Sequence, residues 1–244
     1  YPREHYNSGY MILNQAEHYL DICKRKCLAY KFIMGSALNI INVLKYYNNR
    51  GKDIGKNIEN IVQLLDKLDN SMDIEQMMAI EGNIREVYYA AFDNILENNT
   101  FSFDVRSKRP PLNKMNSLIS FGNSLLYTTV LSEIYNTHLD PRIGYLHSTN
   151  NRRFTLNLDV AEIFKPIIVD RIIFTLISKK MIQAKHFNKS LNSVLLYEEK
   201  LQSVFMHKEL GRNVSYRRLI RMELYKIEKH LMAEKDYEPF ISKW

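Results

Sequence analysis

The sequence predicts an all-α protein, and three observations carry that prediction. Glycine and proline are scarce, 8 and 6 among 244 residues, whereas sandwiches, barrels and dinucleotide-binding sheets use many turn glycines. Apolar residues recur at helical spacing through most of the chain. No stretch alternates with a period of two for long enough to read as a strand. Apolar residues make up 45% of the chain and charged residues 25%, the composition of a chain that buries a core, which excludes intrinsic disorder.

The spacing predicts a first helix from Met11 to Tyr47, with Gly35 as a candidate break, and a second from Ile58 to Leu68. Asp73 and Gln76 have the spacing of a capping box, which opens a third helix running to Leu96. A fourth spans Lys114 to Asn136 and a fifth Leu158 to Ile182. Pro166 falls inside the fifth. It has no N–H for the carbonyl of Glu162 and its ring crowds that carbonyl, so the helix should kink there. Two further helices are expected at Ser193 to Lys208 and Ser215 to Ala233. In the last one Ser215 stands where an N-cap belongs. Tyr216, Leu219, Ile220, Leu224, Ile227 and Leu231 form its apolar stripe, with Arg217, Arg218, Arg221 and Lys229 on the other face.

These elements read as one helical domain, 1–244. Residues 1–98 hold the N-terminal helices, 99–113 a basic proline-containing loop, and 114–244 the remaining helices. The connection from His138 to Asn157 has no obvious secondary structure, and loops this long inside compact domains are more often functional than idle.

Net charge is +7. Between Lys179 and Lys229 there are twelve Lys/Arg and five Asp/Glu, so this stretch carries all of it. A basic region on an otherwise neutral chain points to a polyanion such as nucleic acid; a solubilising surface is the other reading. Two cysteines, Cys23 and Cys27, make neither a disulfide framework nor a four-cysteine zinc site, and imply a reducing, cytoplasmic setting. No run reaches the roughly 20 apolar residues of a membrane span, and no signal peptide is expected. The chain opens on Tyr1-Pro2-Arg3-Glu4 without an initiator methionine, which reads as a piece of a longer protein. No phosphate-binding glycine loop and no Gly-x-Ser-x-Gly turn occurs, so nucleotide-driven and serine-hydrolase chemistry have no support.

Four residues carry candidate chemistry. Glu81 lies mid-helix among Ile80, Ile84 and Val87, where an unpaired carboxylate is costly to bury; the alternative is an ordinary helix glutamate paired with Arg85 at i+4. His147 sits in the long loop. Asp159 and Glu162 share one helical face in a first turn, where the helix dipole alone would also favour them. Glu81, His147 and Glu162, with Asp159 behind, make an oxygen-and-imidazole set suited to Mn²⁺ or Mg²⁺ more than to structural zinc. Spacing alone leaves their convergence open.

Several motifs occur in a telling order. Upstream stand Gln15-Ala16-Glu17, Arg25, Leu28-Ala29, and Glu81-Gly82 with Tyr88. Then come Lys108-Arg109-Pro110-Pro111, Asn116-Ser117-Leu118-Ile119-Ser120-Phe121-Gly122, and Leu125-Leu126-Tyr127. Leu139-Asp140-Pro141, Ile143-Gly144-Tyr145-Leu146-His147-Ser148 and the run from Leu158 to Asp170 follow. Over nearly its whole length the chain resembles the CRISPR-associated spacer-acquisition integrases, the metal-dependent nucleases of CRISPR adaptation. The resemblance implies the family's helical catalytic domain, with its small N-terminal β-domain absent from this chain. It maps the metal ligands onto Glu81, His147 and Glu162, with Asp159 as the neighbouring acid. Lys165 stands where an arginine is frequent, which keeps the charge and loses a bidentate phosphate contact.

The implied reaction is metal-assisted phosphoryl transfer, in which a DNA 3′-hydroxyl attacks a phosphodiester of the repeat, with hydrolysis as a side reaction. Implied partners are DNA, a second copy in a homodimer, and a small ferredoxin-like subunit. Arg142, Arg152, Arg153, Arg217, Arg218 and Arg221 are the candidate phosphate contacts. The alternatives are a non-catalytic helical DNA-binding or assembly module, and a branched-DNA repair nuclease.

Overall fold

A computed structural model describes residues 8–148, 154–190, 193–196, 209–210 and 214–243. Helix α1 covers Gly9–Leu20 and α2 covers Ile22–Asn48. The break between them falls at Asp21 and not at Gly35. Asp21 adopts an extended backbone and accepts the amides of Cys23 and Lys24 at 2.9 and 3.1 Å, so a side-chain cap starts a new helix there. Gly35 serves another purpose. A Cβ on it would lie 2.6 Å from Pro239 Cβ, so the glycine lets the C-terminal segment cross α2 closely. Asn39 pins that crossing, donating to Ile163 O and Phe240 O and accepting from the Ser242 amide.

Helix α2 is long and apolar enough, by length and composition, to cross a membrane, which the sequence reading did not anticipate. Two-thirds of that apolar window is buried inside the protein. Leu28, Phe32, Ile33, Ile40 and Leu44 fill the core, and the helix packs against α3 (Gly55–Leu65), α4 (Ile74–Ala90) and α7 (Leu156–Phe164). Asp73 and Gln76 form the expected capping box. The third predicted helix is interrupted at Ala91, after which α5 covers Phe92–Leu96.

Helix α6 runs Lys114–Ile134. The basic loop before it is stapled to its first turns: Arg106 donates to Asn116 and Ser120, and Asn116 donates to Val105 O. After α7 the chain widens into a π turn, Lys165–Asp170, before α8, Arg171–Ser178. Pro166 is the physical reason, because without its N–H the α-helical ladder does not continue, and π turns of this kind are frequent at functional sites.

The all-α expectation needs one correction. Strands β1 (Phe187–Ser190) and β2 (Ser193–Leu196) pair antiparallel, with Phe187 opposite Leu196. A second short hairpin joins β3 (Glu209–Leu210) to β4 (Val214–Ser215). The helix expected from Ser193 to Lys208 is therefore not present at its start, and 197–208 lie outside the described residues. Val194-Leu195-Leu196 is a short apolar run, which periodicity alone does not assign to helix or strand. Helix α9, Tyr216–Leu231, begins on Ser215 as expected, with Ile220, Leu224, Ile227 and Leu231 buried.

Candidate active site

Helix α4 buries Met77, Ile84 and Tyr88, and this sets Glu81 and Arg85 together at the boundary of the core. Arg85 donates its Nε–H to Glu81 Oε1 and a terminal N–H to Glu162 Oε2. Lys165, at the start of the π turn, donates to Glu162 Oε1. Glu162 and Lys165 side chains are only 7% and 8% exposed, so both charges exist because they are paired. Glu81 on α4 and Glu162 on α7 thus share one guanidinium.

The electrostatics follow from that pairing. Burial alone raises the pKa of Glu81, but the Arg85 charge and hydrogen bond, with Lys165 and His147 adding to them, hold it below the usual carboxylate value. Burial, reinforced by the like charge of Arg85, pushes Lys165 down. Asp170, at the end of the π turn, is pushed up to about 6 by burial, against the pull of Arg85.

Asp159 is completely buried and builds the second half of the site. Its Oδ2 accepts the amides of Tyr145 and Leu146 at 2.6 and 3.0 Å. Its Oδ1 accepts the His147 amide at 3.0 Å and meets His147 Nδ1 at 2.8 Å. With three N–H groups already pointing at it, Asp159 acts as acceptor. The imidazole Nδ1 therefore donates, and Nε2 presents a lone pair. Gly144 makes this turn possible: a Cβ there would lie 2.8 Å from the Thr155 carbonyl carbon and 2.9 Å from Asp159 Oδ2. The loop is tied down elsewhere by reciprocal amide bonds between Gln15 and Asp140 and by Arg25 donating to Tyr145 O.

The structure thus joins Glu81 to Glu162 through Arg85 and His147 to Asp159, and His147, when protonated, also acts on Glu81. Among the described residues, no three Asp, Glu, His or Cys side chains stand close enough to enclose an ion by themselves. Arg217 and Arg218 are exposed in the first turn of α9. Arg142 is engaged with both oxygens of buried Asp140, and Arg221 Nε with buried Glu133 at 2.7 Å. Arg152 and Arg153 lie outside the described residues. Sequence reasoning missed Arg85 as a bridge and Lys165 as a clamp. The i, i+4 spacing of Glu81 and Arg85 was a visible signal, but nothing local announced the reach to Glu162.

Fold and site together define a helical protein with a guanidinium-bridged carboxylate pair beside a carboxylate-held imidazole. Comparison with known proteins places that class. The family described as CRISPR associated protein Cas1 matches residues 1–209. A CRISPR-associated endonuclease Cas1 of Thermodesulfovibrio yellowstonii is 57% identical over 255 aligned residues, covering all of this chain and 77% of the relative. A solved CAS1 protein from Thermotoga maritima superposes with a TM-score of 0.89 at 44% identity, over 98% of this chain and 76% of that one. The fold is shared more distantly with a casposase bound to integration product, at TM-score 0.84 and 20% identity over 97% and 69% of the two chains. It is also shared with a Cas6-RT-Cas1–Cas2 complex, at 0.82 and 15% over 92% and 26%. This chain belongs to the CRISPR-associated Cas1 family.

Proposed function

We propose that this chain is a metal-dependent DNA endonuclease and integrase that joins new spacer DNA into a CRISPR repeat array. The observation that carries the reading is the meeting of Glu81 and Glu162 on one cation beside the Asp159-held His147. The named activity of the relative from Thermodesulfovibrio yellowstonii, an endonuclease, supports it.

The donor set fits a divalent ion. Two carboxylates already attract a cation, and an imidazole fixed at Nδ1 offers Nε2, the arrangement in which a hydrogen-bonded partner sets ligand orientation. Glu81, His147 and Glu162 would hold Mn²⁺ or Mg²⁺. Asp159 stays behind His147, since its oxygens are taken by three amides and the imidazole. When bound, such an ion polarises a phosphoryl oxygen and stabilises attacking and leaving oxygens.

The chain's own groups do the rest. Asp159 holds the imidazole plane and tautomer. Lys165, beside Glu162, supplies fixed positive charge next to the reacting phosphate. The DNA 3′-hydroxyl gives up its proton and forms a new P–O bond, the repeat's P–O bond breaks, and the departing 3′-oxygen takes up a proton. Arg217 and Arg218 contact phosphates along the duplex, with Arg142, Arg152, Arg153 and Arg221 as further contacts. Partners are spacer and repeat DNA, a second copy of the chain in a homodimer, and a small ferredoxin-like subunit. The shared fold with a Cas1–Cas2 assembly and with a casposase on its product supports these partners. The setting is cytoplasmic, in keeping with free Cys23 and Cys27.

The test is His147→Ala. Asp159 keeps its three amide donors in that variant, so melting should be unchanged and DNA binding should stay within a few-fold. Strand transfer and branched-DNA cleavage in Mn²⁺ should fall to background. Retained activity would reduce His147 to an ordinary loop histidine, and absence of any activity in the unmodified protein would leave a DNA-binding module.

A further inference from the structure

Arg85 is the residue in this site with no role in the reaction just described. Its guanidinium is a planar fork of donors, matched to carboxylates. Here the two tines reach two different carboxylates, Glu81 and Glu162. Without that cation the half-buried Glu81 and the buried Glu162 would repel, which favours protonation of one of them. Lys165 does not replace it, since its ammonium bonds Glu162 alone of the two. The fold therefore does not hold an empty cage for an ion. It holds a carboxylate pair that is already neutralised.

A second, independent feature lies beside it. Asp170 is 1% exposed, and beside it stands the hydroxyl of buried Tyr88, three residues after Arg85 on α4, which acts on it as a hydrogen-bond donor. The charge of Asp170 already acts on Arg85. A guanidinium leaving Glu81 and Glu162 therefore has another buried carboxyl within its field.

We propose that Arg85 is a resident counter-cation: it holds Glu81 and Glu162 in the metal-free protein, and a divalent ion enters by displacing it toward Asp170. The proposal rests on the metal-binding reading above. Arg85 acts through the two glutamates as a positioning residue. It keeps the ligand pair closed and charged without metal, and it sets metal affinity by competition.

The experiment titrates Mn²⁺ calorimetrically into the wild-type chain, Arg85→Lys, Arg85→Gln and Glu81→Gln, and records metal-free melting in EDTA. A lysine keeps the charge but presents a single point, so it does not bridge both acids. Hydrogen bonds to charged groups are worth enough that losing one bridge should tighten Mn²⁺ binding roughly tenfold. Arg85→Lys should also melt lower in EDTA and recover most of that loss in Mn²⁺. Equal affinity in wild type and Arg85→Lys would overturn the proposal while leaving the metal reading intact. So would tightening in Arg85→Gln alone, which would mark a general charge effect. Glu81→Gln tests the metal reading separately: if neither it nor wild type binds Mn²⁺, both ideas fall. Should Arg85→Gln not fold, the Nε–H resonance of Arg85 in the wild-type chain decides. It should leave its hydrogen-bonded position as Mg²⁺ saturates the protein, and a signal that stays put at saturation overturns the displacement.

Discussion

Two sets of buried or half-buried carboxylates share this helical frame and are neutralised in different ways. Asp159 is held by three main-chain amides and an imidazole. Glu223 is held by the Tyr237 hydroxyl at 2.6 Å and the Phe240 amide at 3.0 Å, with Lys226 on its other oxygen. Glu81 and Glu162 are held instead by the ends of long side chains, Arg85 and Lys165. An amide donor is fixed by the fold and leaves only when the fold does. A guanidinium or ammonium on a flexible stem can move at the cost of rotamers and hydrogen bonds. The charge of Asp159 is anchored by the main chain, whereas the charges of Glu81 and Glu162 are covered by cations that can move.

The largest expected effect contrasts the two sets directly. Asp159→Asn places an amide NH₂ against backbone N–H groups in a fully buried site. It should cost about 3–5 kcal/mol of stability, the scale of breaking a buried charged pair. Glu81→Gln still offers an oxygen to Arg85, which keeps Glu162, and should cost only about 1 kcal/mol. Denaturant unfolding of the two variants measures both. Equal costs would erase the distinction between fixed and removable donors.

How much of this was legible depends on the range of each signal. The capping box at Asp73 and Gln76, the Ser215 cap, the apolar stripe of α9 and the distortion at Pro166 are written within four or five residues. They were read correctly for that reason. Gly35 was misread because a glycine's meaning depends on what approaches it, and Pro239 approaches from the far end of the chain. The β1–β2 hairpin was missed because the short apolar run Val194-Leu195-Leu196 fits either period. At the site, motif order named Glu81, His147, Asp159 and Glu162. It could not show that Arg85 spans two of them, since that bridge exists only once α4 meets α7. Arg142 and Arg221 are candidate phosphate contacts by sequence, and the structure engages each with a buried acid.

Asp170 belongs to neither set, and its titration sharpens the comparison. Its folded pKa is raised from 3.8 to about 6, chiefly by burial. Between those values the folded chain binds a proton that the unfolded chain has released. Stability from this group is therefore full below about pH 4 and is lost as pH rises toward 6. The loss amounts to about 3 kcal/mol, at roughly 1.36 kcal/mol per unit. Asp170→Asn should remove that slope and melt higher than the wild-type chain at pH 7. Melting curves from pH 4 to 7 on both proteins give the difference. A parallel pair of curves would mean that Arg85 already satisfies Asp170 in the metal-free state, which makes it one more cation-paired acid.

The smallest effect concerns the surface. Arg217 and Arg218 follow the Ser215 cap and are exposed, while Arg221, one turn on, holds Glu133. Only the first two should change DNA binding without disturbing the fold. Each phosphate that a cation neutralises releases counterion, with a log–log salt slope near −0.9 per contact on duplex DNA. Replacing Arg217 and Arg218 by Gln should therefore flatten the slope by up to about 2. Contacts of this kind carry no sequence information, so repeat and unrelated duplexes should weaken alike. Arg221 stays in place in this variant, because its loss would strip a buried carboxylate of its cation and lower stability for reasons unrelated to DNA. Filter-binding isotherms at several salt concentrations, beside an unchanged melting transition, provide the measurement. An unaltered slope would make these two arginines solvated surface and would move the polyanion contact to the other basic residues between Lys179 and Lys229.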